Sequence, residues 1–110
     1  MTPAEANKLL EKFRAGKISQ KKVLAALGKE PVTDLGFAQV DQHRALRQGF
    51  PEVIFGAGKT PVQVVKIAAE IFKENGRVLI TRIEATHAKV LKKKFKKAVY
   101  HEDARCAVIE

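Results

Sequence analysis

From Glu52 to Ile109 the chain alternates short apolar runs with longer amphipathic segments, and this alternation restricts the possible folds more than any other feature. Glu52–Phe55, Arg77–Ile83, Ala98–His101 and Cys106–Ile109 read as strands with apolar centres. Pro61 to Glu74 reads as a helix. Thr60-Pro61-Val62-Gln63 has the form of a capping box, in which the first side chain and the fourth each take up the other's free amide. Val65, Ala68, Ala69 and Phe72 share one helical face, and Val64, Ile67 and Ile71 widen it, so the helix needs burial on more than one side. Asn75-Gly76 ends it. Glu84–Phe95 is a second helix, with Ala88, Leu91 and Phe95 inward. A strand–helix–strand–helix–strand run calls for a mainly parallel sheet with right-handed crossovers.

The first 30 residues are of another kind. Thr2-Pro3-Ala4-Glu5 opens a helix that carries Ala6, Leu9, Leu10 and Phe13 on one face and can close at Gly16. Ser19 caps a shorter helix with Val23, Leu24 and Leu27, ended by Gly28. Two short helices so joined form an antiparallel pair. Lys29–Asp34, with Pro31 inside, reads as a linker, and Phe37–Arg44 alternates loosely as a strand. The expected fold class is α/β, bordering on α+β. A helical pair (1–30) precedes a mixed, mainly parallel sheet with two crossover helices (31–110), the two packed as one domain. No apolar run approaches the roughly 20 residues of a membrane span. The single Cys106 excludes an internal disulfide and fits a reducing, cytoplasmic compartment. The chain ends inside an apolar run, which points to a piece of a longer protein.

With 21 Lys and Arg against 12 Asp and Glu, the net charge of +9 admits nucleic acid, an anionic small molecule or an acidic partner surface. Lys89, Lys92, Lys93, Lys94, Lys96 and Lys97 crowd one helix and its exit. Nucleic-acid readers interleave arginine and aromatic side chains, and here only Phe95 is available, on the core face. The stretch therefore predicts a solvated face, with weak and non-specific nucleic-acid binding at most.

Most residues able to do chemistry gather between Leu35 and Thr60. Asp41 and His43 are two apart, so on a strand they share a face. Such a pair can fix a histidine tautomer, or simply be a hydrogen-bonded pair on the sheet rim. Arg44 and Arg47 can fork onto a carboxylate or phosphate, or pair with Asp41 and Glu52. Gly56-Ala57-Gly58-Lys59-Thr60, between a strand and a helix, has the look of a phosphate loop, but the spacing fails. A Walker A loop needs glycine where Val53 stands, and the strand Val78–Thr81 lacks a following acid to hold magnesium. This excludes a nucleotide hydrolase. What stays is a helix N-terminus beside Lys59 that attracts anions, or a tight glycine turn with a solvated lysine. His43, His87, His101 and Cys106 have no metal-ligand spacing, and Cys106 reads as a packed thiol. No nucleophile, base and oxyanion site come together, so no catalytic set and no cofactor are expected in this chain.

Leu35-Gly36-Phe37-Ala38, Val40-Asp41, His43-Arg44, Arg47, Gly49-Phe50-Pro51-Glu52-Val53, Phe55-Gly56 and Gly58-Lys59-Thr60 resemble the N-terminal domain of the LarB-type enzymes. These are the pyridinium-3,5-biscarboxylic acid mononucleotide synthases of nickel-pincer cofactor biosynthesis, related to proteins labelled circadian phase modifiers. Weaker echoes follow at Thr81-Arg82 and at Tyr100 with Ala104-Arg105. The family's second half, similar to aminoimidazole ribonucleotide carboxylase, has no counterpart here, and Cys106 does not match the reactive cysteine of that half. The resemblance implies an accessory domain of an enzyme that carboxylates the pyridinium ring of nicotinic acid adenine dinucleotide and hydrolyses its phosphoanhydride, releasing AMP. It implies the carboxylase-like domain as partner, an anionic dinucleotide as ligand and a homo-oligomer when full length. The candidate ligand-binding residues are Asp41, His43, Arg44, Arg47, Glu52, Lys59, Thr60 and Arg82. The alternatives are a stand-alone basic nucleic-acid-binding module and an anion-binding domain using the Gly56–Thr60 turn.

Overall fold

A computed structural model describes residues 1–28, 32–42 and 44–110, with Arg47 described by its backbone only. The first helix, α1 (Pro3–Arg14), starts where its sequence signal lies: Thr2 Oγ1 accepts from the Glu5 amide at 3.1 Å, and the Thr2 amide donates to Glu5 Oε2 at 3.2 Å. It ends in a Schellman turn. Gly16, at φ +74°, donates to the Phe13 carbonyl, and Lys17 donates to that of Lys12. Ser19 Oγ accepts from the Lys22 amide and opens α2 (Gln20–Leu27). α1 buries no residue and α2 buries only Val23, so Leu10, Phe13, Leu24 and Leu27 stay exposed. The helical pair projects from the rest. The described residues span 50 × 26 × 23 Å with a radius of gyration of 16.0 Å, against about 13 Å for a compact chain of this length.

Two expectations fail between Pro31 and Gly49. The linker assigned to Lys29–Asp34 contains a strand, β1 (Val32–Asp34), while 29–31 lie outside the described residues. The strand expected over Phe37–Arg44 shrinks to β2 (Gln39–Asp41), antiparallel to β1 with Thr33 opposite Val40. The turn between them explains both corrections. The Leu35 amide donates to the Ala38 carbonyl at 2.8 Å, Gly36 takes φ +86°, and its amide donates to Asp34 Oδ1 at 2.8 Å. Asp34 and Gly36 thus supply a hairpin turn, and the alternation that follows is too short to extend the strand. Arg44 instead begins a short helix, α3 (Arg44–Gln48).

The main sheet has the order β3 (Ile54–Phe55), β4 (Val78–Thr81), β6 (Cys106–Ile109), β5 (Val99–His101). β3 and β4 are parallel, while β6 pairs antiparallel with both β4 and β5. It follows that β3, β4 and β5 all run one way and β6 is inserted against them. The sheet is mixed, as expected, but the parallel pairing expected to dominate is confined to β3–β4, because β6 makes the other two pairings antiparallel. Two helices make the crossovers: α4 (Pro61–Asn75) between β3 and β4, and α5 (Ala85–Lys94) between β4 and β5. α4 begins with a complete Thr60–Gln63 capping box and ends at Gly76, φ +73°.

Both helices pack on one face of the sheet. Val64, Ile67, Ala68 and Ile71 of α4 and Leu91 of α5 meet Ile54, Val78, Ile80, Ala107 and Ile109 from alternate strand positions. Phe72 and Phe95 close the helix interface with ring centroids 5.5 Å apart. On the opposite face Val53, Phe55, Leu79 and Val99 stay exposed.

Candidate functional site

The carboxyl ends of β3 and β4 lie side by side, because the strands are parallel. The loops leaving them are Gly56–Thr60 and Arg82–Glu84, and the β5–β6 turn reaches the same edge. In open α/β sheets ligands gather at this edge.

Three contacts lock these loops together. Gly56 donates to the Thr81 carbonyl at 2.7 Å, and Ile83 donates to the Arg105 carbonyl at 3.0 Å. The third is His87, which is buried. Its Nδ1 accepts from the Glu84 amide at 3.1 Å, so its Nε2 carries the proton and donates to the Lys59 carbonyl at 2.7 Å. The ring thus ties the start of α5 to the Gly56–Thr60 turn. Sequence reasoning passed over His87 while seeking metal-ligand spacing. The available signal was its place three residues after Glu84 at a helix start, the position a capping side chain occupies.

Gly56 is fixed by space. A methyl group there would stand 2.4 Å from Ile83 Cγ2 and 3.0 Å from the Thr81 carbonyl oxygen. Gly58 is fixed by conformation, at φ +77° with open space around it. Arg82 and Arg105 also adopt left-handed backbone, at φ +56° and +53°. Such geometry is uncommon for side chains of this size. It brings the two arginines of the weaker sequence echoes into adjoining loops, both exposed.

The candidate residues fall into two groups. Lys59, Thr60 and Arg82 belong to the carboxyl edge. Lys59 Nζ donates to the Phe55 carbonyl at 2.6 Å, and Thr60 Oγ1 accepts from the Gln63 amide at 3.2 Å, so the threonine hydroxyl is engaged in capping. Asp41, Arg44 and Glu52 gather at the other end of β3. Glu52 Oε2 accepts from the Asp41 amide at 2.6 Å, and Arg44 Nε stands 3.8 Å from Asp41 Oδ2. At that distance and with Arg44 half-exposed, the ion pair adds little stability. Glu52 of one group and Lys59 of the other line one cleft of about 220 Å³, together with Gln39, Val40, Ile54 and Ile67, while Asp41, Arg44, Thr60 and Arg82 stand outside its lining. His43 and the Arg47 side chain lie outside the described residues. The shared face expected for Asp41 and His43 therefore lies outside the described residues; β2 ends at Asp41 and Gln42 turns.

Gln42 is a buried polar side chain that sequence reading missed. Its Nε2 donates to Thr33 Oγ1 at 2.9 Å, which ties the turn after β2 to β1. Among the described residues, no three His, Cys, Asp or Glu side chains converge as a metal site would require. No helix among them is long and apolar enough to cross a membrane. Cys106 is half-buried on the uncovered side of the sheet, its Sγ 3.1 Å from the Ala104 carbonyl oxygen.

The chain matches the LarB/PurE-like N-terminal domain over residues 32–110, a span that takes in both sheets, α3 and both crossover helices. It is also similar to the uncharacterized protein MJ0165 of Methanocaldococcus jannaschii, with 37% identity over 46 residues. That match covers 42% of this chain and 18% of the relative. The chain belongs to the LarB/PurE-like N-terminal domain family.

Proposed function

From this membership we propose that the chain is an accessory domain, acting with a carboxylase-like catalytic half in the conversion of nicotinic acid adenine dinucleotide to the pyridinium biscarboxylic acid mononucleotide. The observation that carries the reading is the family match across residues 32–110. The chemistry of the whole enzyme, carboxylation of the ring by carbon dioxide or bicarbonate and hydrolysis to release AMP, resides in the partner half. This domain orients that half and contributes cationic contacts to the dinucleotide. The carboxyl edge supports such contacts: Lys59, Arg82 and Arg105 stand on loops held by the His87 bridge and the Ile83–Arg105 hydrogen bond. The reading further places the complete enzyme in the cytoplasm, as a homo-oligomer serving nickel-pincer cofactor formation.

The test is complementation. The catalytic half of a LarB-type protein, produced separately, is assayed for AMP release with and without this chain. The chain is expected to raise the rate at least about tenfold, the loss that misplacing a substrate or its binding groups commonly brings. An unchanged rate at saturating chain would refute the accessory role.

A further inference from the structure

Among the described residues, the two crossover helices dress one side of the sheet and leave large apolar side chains exposed on the other. α4 and α5 cover the face that carries Ile54, Val78, Ile80, Ala107 and Ile109. On the other face the register aligns Leu79, Val108 and Val99 in a row across β4, β6 and β5, and Val53, just before β3, continues it. Phe55 begins a second row, opposite Thr81. Val53, Phe55, Leu79 and Val99 are 40%, 56%, 39% and 52% exposed. With Phe50, also exposed, they offer on the order of 500 Å² of apolar surface, toward the upper end of what a soluble monomer leaves bare.

Three observations indicate what covers it. First, the strand sequences Val53-Ile54-Phe55, Val78-Leu79-Ile80 and Ala107-Val108-Ile109 are continuously apolar. That is the pattern of strands buried on both faces; a half-solvated sheet alternates with polar residues. Second, the face runs into a hollow of about 480 Å³ lined by Phe50, Pro51, Val53, Leu79, Val108 and Glu110. β6 ends against this hollow, so in longer family members the chain after the last strand is tethered beside the open face, at the high effective concentration a short link gives. Third, the charge selects the partner. Arg77 and Glu110 border the hollow with one charge of each sign, Lys97 and Arg82 adjoin the strands with two further positive charges, and the chain as a whole carries +9. A second copy brings the same charge and is repelled; a surface with carboxylates around an apolar ridge is attracted.

Resting on the accessory-domain reading, we propose that this open sheet face, centred on Leu79 and Val99, is where the catalytic half docks, through an apolar ridge bordered by acidic residues. A standard interface takes about 800 Å² from each partner, so the patch supplies its apolar centre and the basic border the remainder.

The probe is the separately produced catalytic half of a LarB-type protein, titrated calorimetrically against this chain. Leu79→Asp and Val99→Asp place a carboxylate in the proposed contact, and both are expected to weaken binding by about 30-fold or more. Val62→Asp, exposed on α4 on the far side of the sheet, is expected to change it less than about twofold. Leu79→Ser serves as the milder variant, and thermal melts confirm that each protein folds. Cys106 gives an independent reading: it lies in β6 beside the row, and saturating partner is expected to slow its alkylation about tenfold or more. If wild-type chain binds but both aspartate variants bind equally well and Cys106 reacts at an unchanged rate, the face is wrong while the accessory role stands. If wild-type chain does not bind at all, both fall. A dimer of the chain alone in sedimentation, dissolved by Leu79→Asp, would assign the face to a second copy and overturn the proposal.

Discussion

Replacing Gly56 by alanine tests whether the loop after β3 is shaped by packing or by ligand chemistry. The new Cβ would meet Ile83 Cγ2 at 2.4 Å and the Thr81 carbonyl oxygen at 3.0 Å. Ile83 is fully buried, so its side chain can turn only against packed neighbours. The Thr81 carbonyl is backbone and already accepts the Gly56 amide at 2.7 Å. Either the loop moves, losing that bond, or the Ile83 side chain leaves its rotamer. Overpacking of this kind costs about 1–3 kcal/mol, and the backbone obstacle puts Gly56→Ala near 3. For a domain of this size that lowers Tm by about 12 °C. Gly58→Ala, five turn atoms away in open space but at φ +77°, should cost only about 1–2 kcal/mol through backbone strain. Urea unfolding of the two variants beside wild type gives the comparison. A double-mutant cycle with Ile83→Ala should then show coupling, because removing the Ile83 methyl relieves the clash. Gly56→Ala within about 0.5 kcal/mol of wild type would refute the close approach between the two loops.

Other outcomes follow from the same geometry. His87→Ala removes both the acceptor for the Glu84 amide and the donor to the Lys59 carbonyl, and urea unfolding should record a loss of about 2–3 kcal/mol. Millimolar nicotinic acid adenine dinucleotide should raise the melting temperature of the wild-type chain, and that shift should vanish in a Lys59→Ala, Arg82→Ala double variant. A shift retained there but lost in Arg44→Ala, Arg47→Ala would move the ligand to the amino end of β3. Binding to random duplex DNA should be weak and fall steeply between low and physiological salt, as counterion release dictates. Tight, sequence-selective binding would favour the nucleic-acid module instead.

The parts of this fold that were legible in the sequence are those specified locally. Thr2-Pro3-Ala4-Glu5 and Thr60-Pro61-Val62-Gln63 carry their own capping chemistry, and both helices begin at these residues. Gly76 ends α4 because only glycine takes its left-handed conformation without strain. What was illegible depends on distant partners. β1 is three residues long and becomes a strand only by pairing with β2. The insertion of β6 between β4 and β5 is set by long-range pairing, so no local pattern announces it. Phe37–Arg44 has a strand's alternation, yet the Asp34–Gly36 turn takes its first residues and α3 its last. The candidate site was legible as a list of residues and not as a geometry. Lys59 and Arg82 share an edge only because β3 and β4 are parallel neighbours, and Asp41 reaches Glu52 only through the hairpin. Gly56 was noticed as a possible phosphate-loop glycine, whereas its contact with Ile83 exists only in the folded chain.

The central claim is that this domain assists chemistry housed elsewhere. It is tested most directly by AMP release from nicotinic acid adenine dinucleotide and bicarbonate, compared among this chain, a complete LarB-type enzyme carrying it, and the same enzyme with the domain deleted. The account predicts no release by the chain alone, full activity in the complete enzyme, and at least about a tenfold loss on deletion. Turnover by the isolated chain that disappears on mutating Asp41 or Arg44, or undiminished activity after deletion, would contradict it.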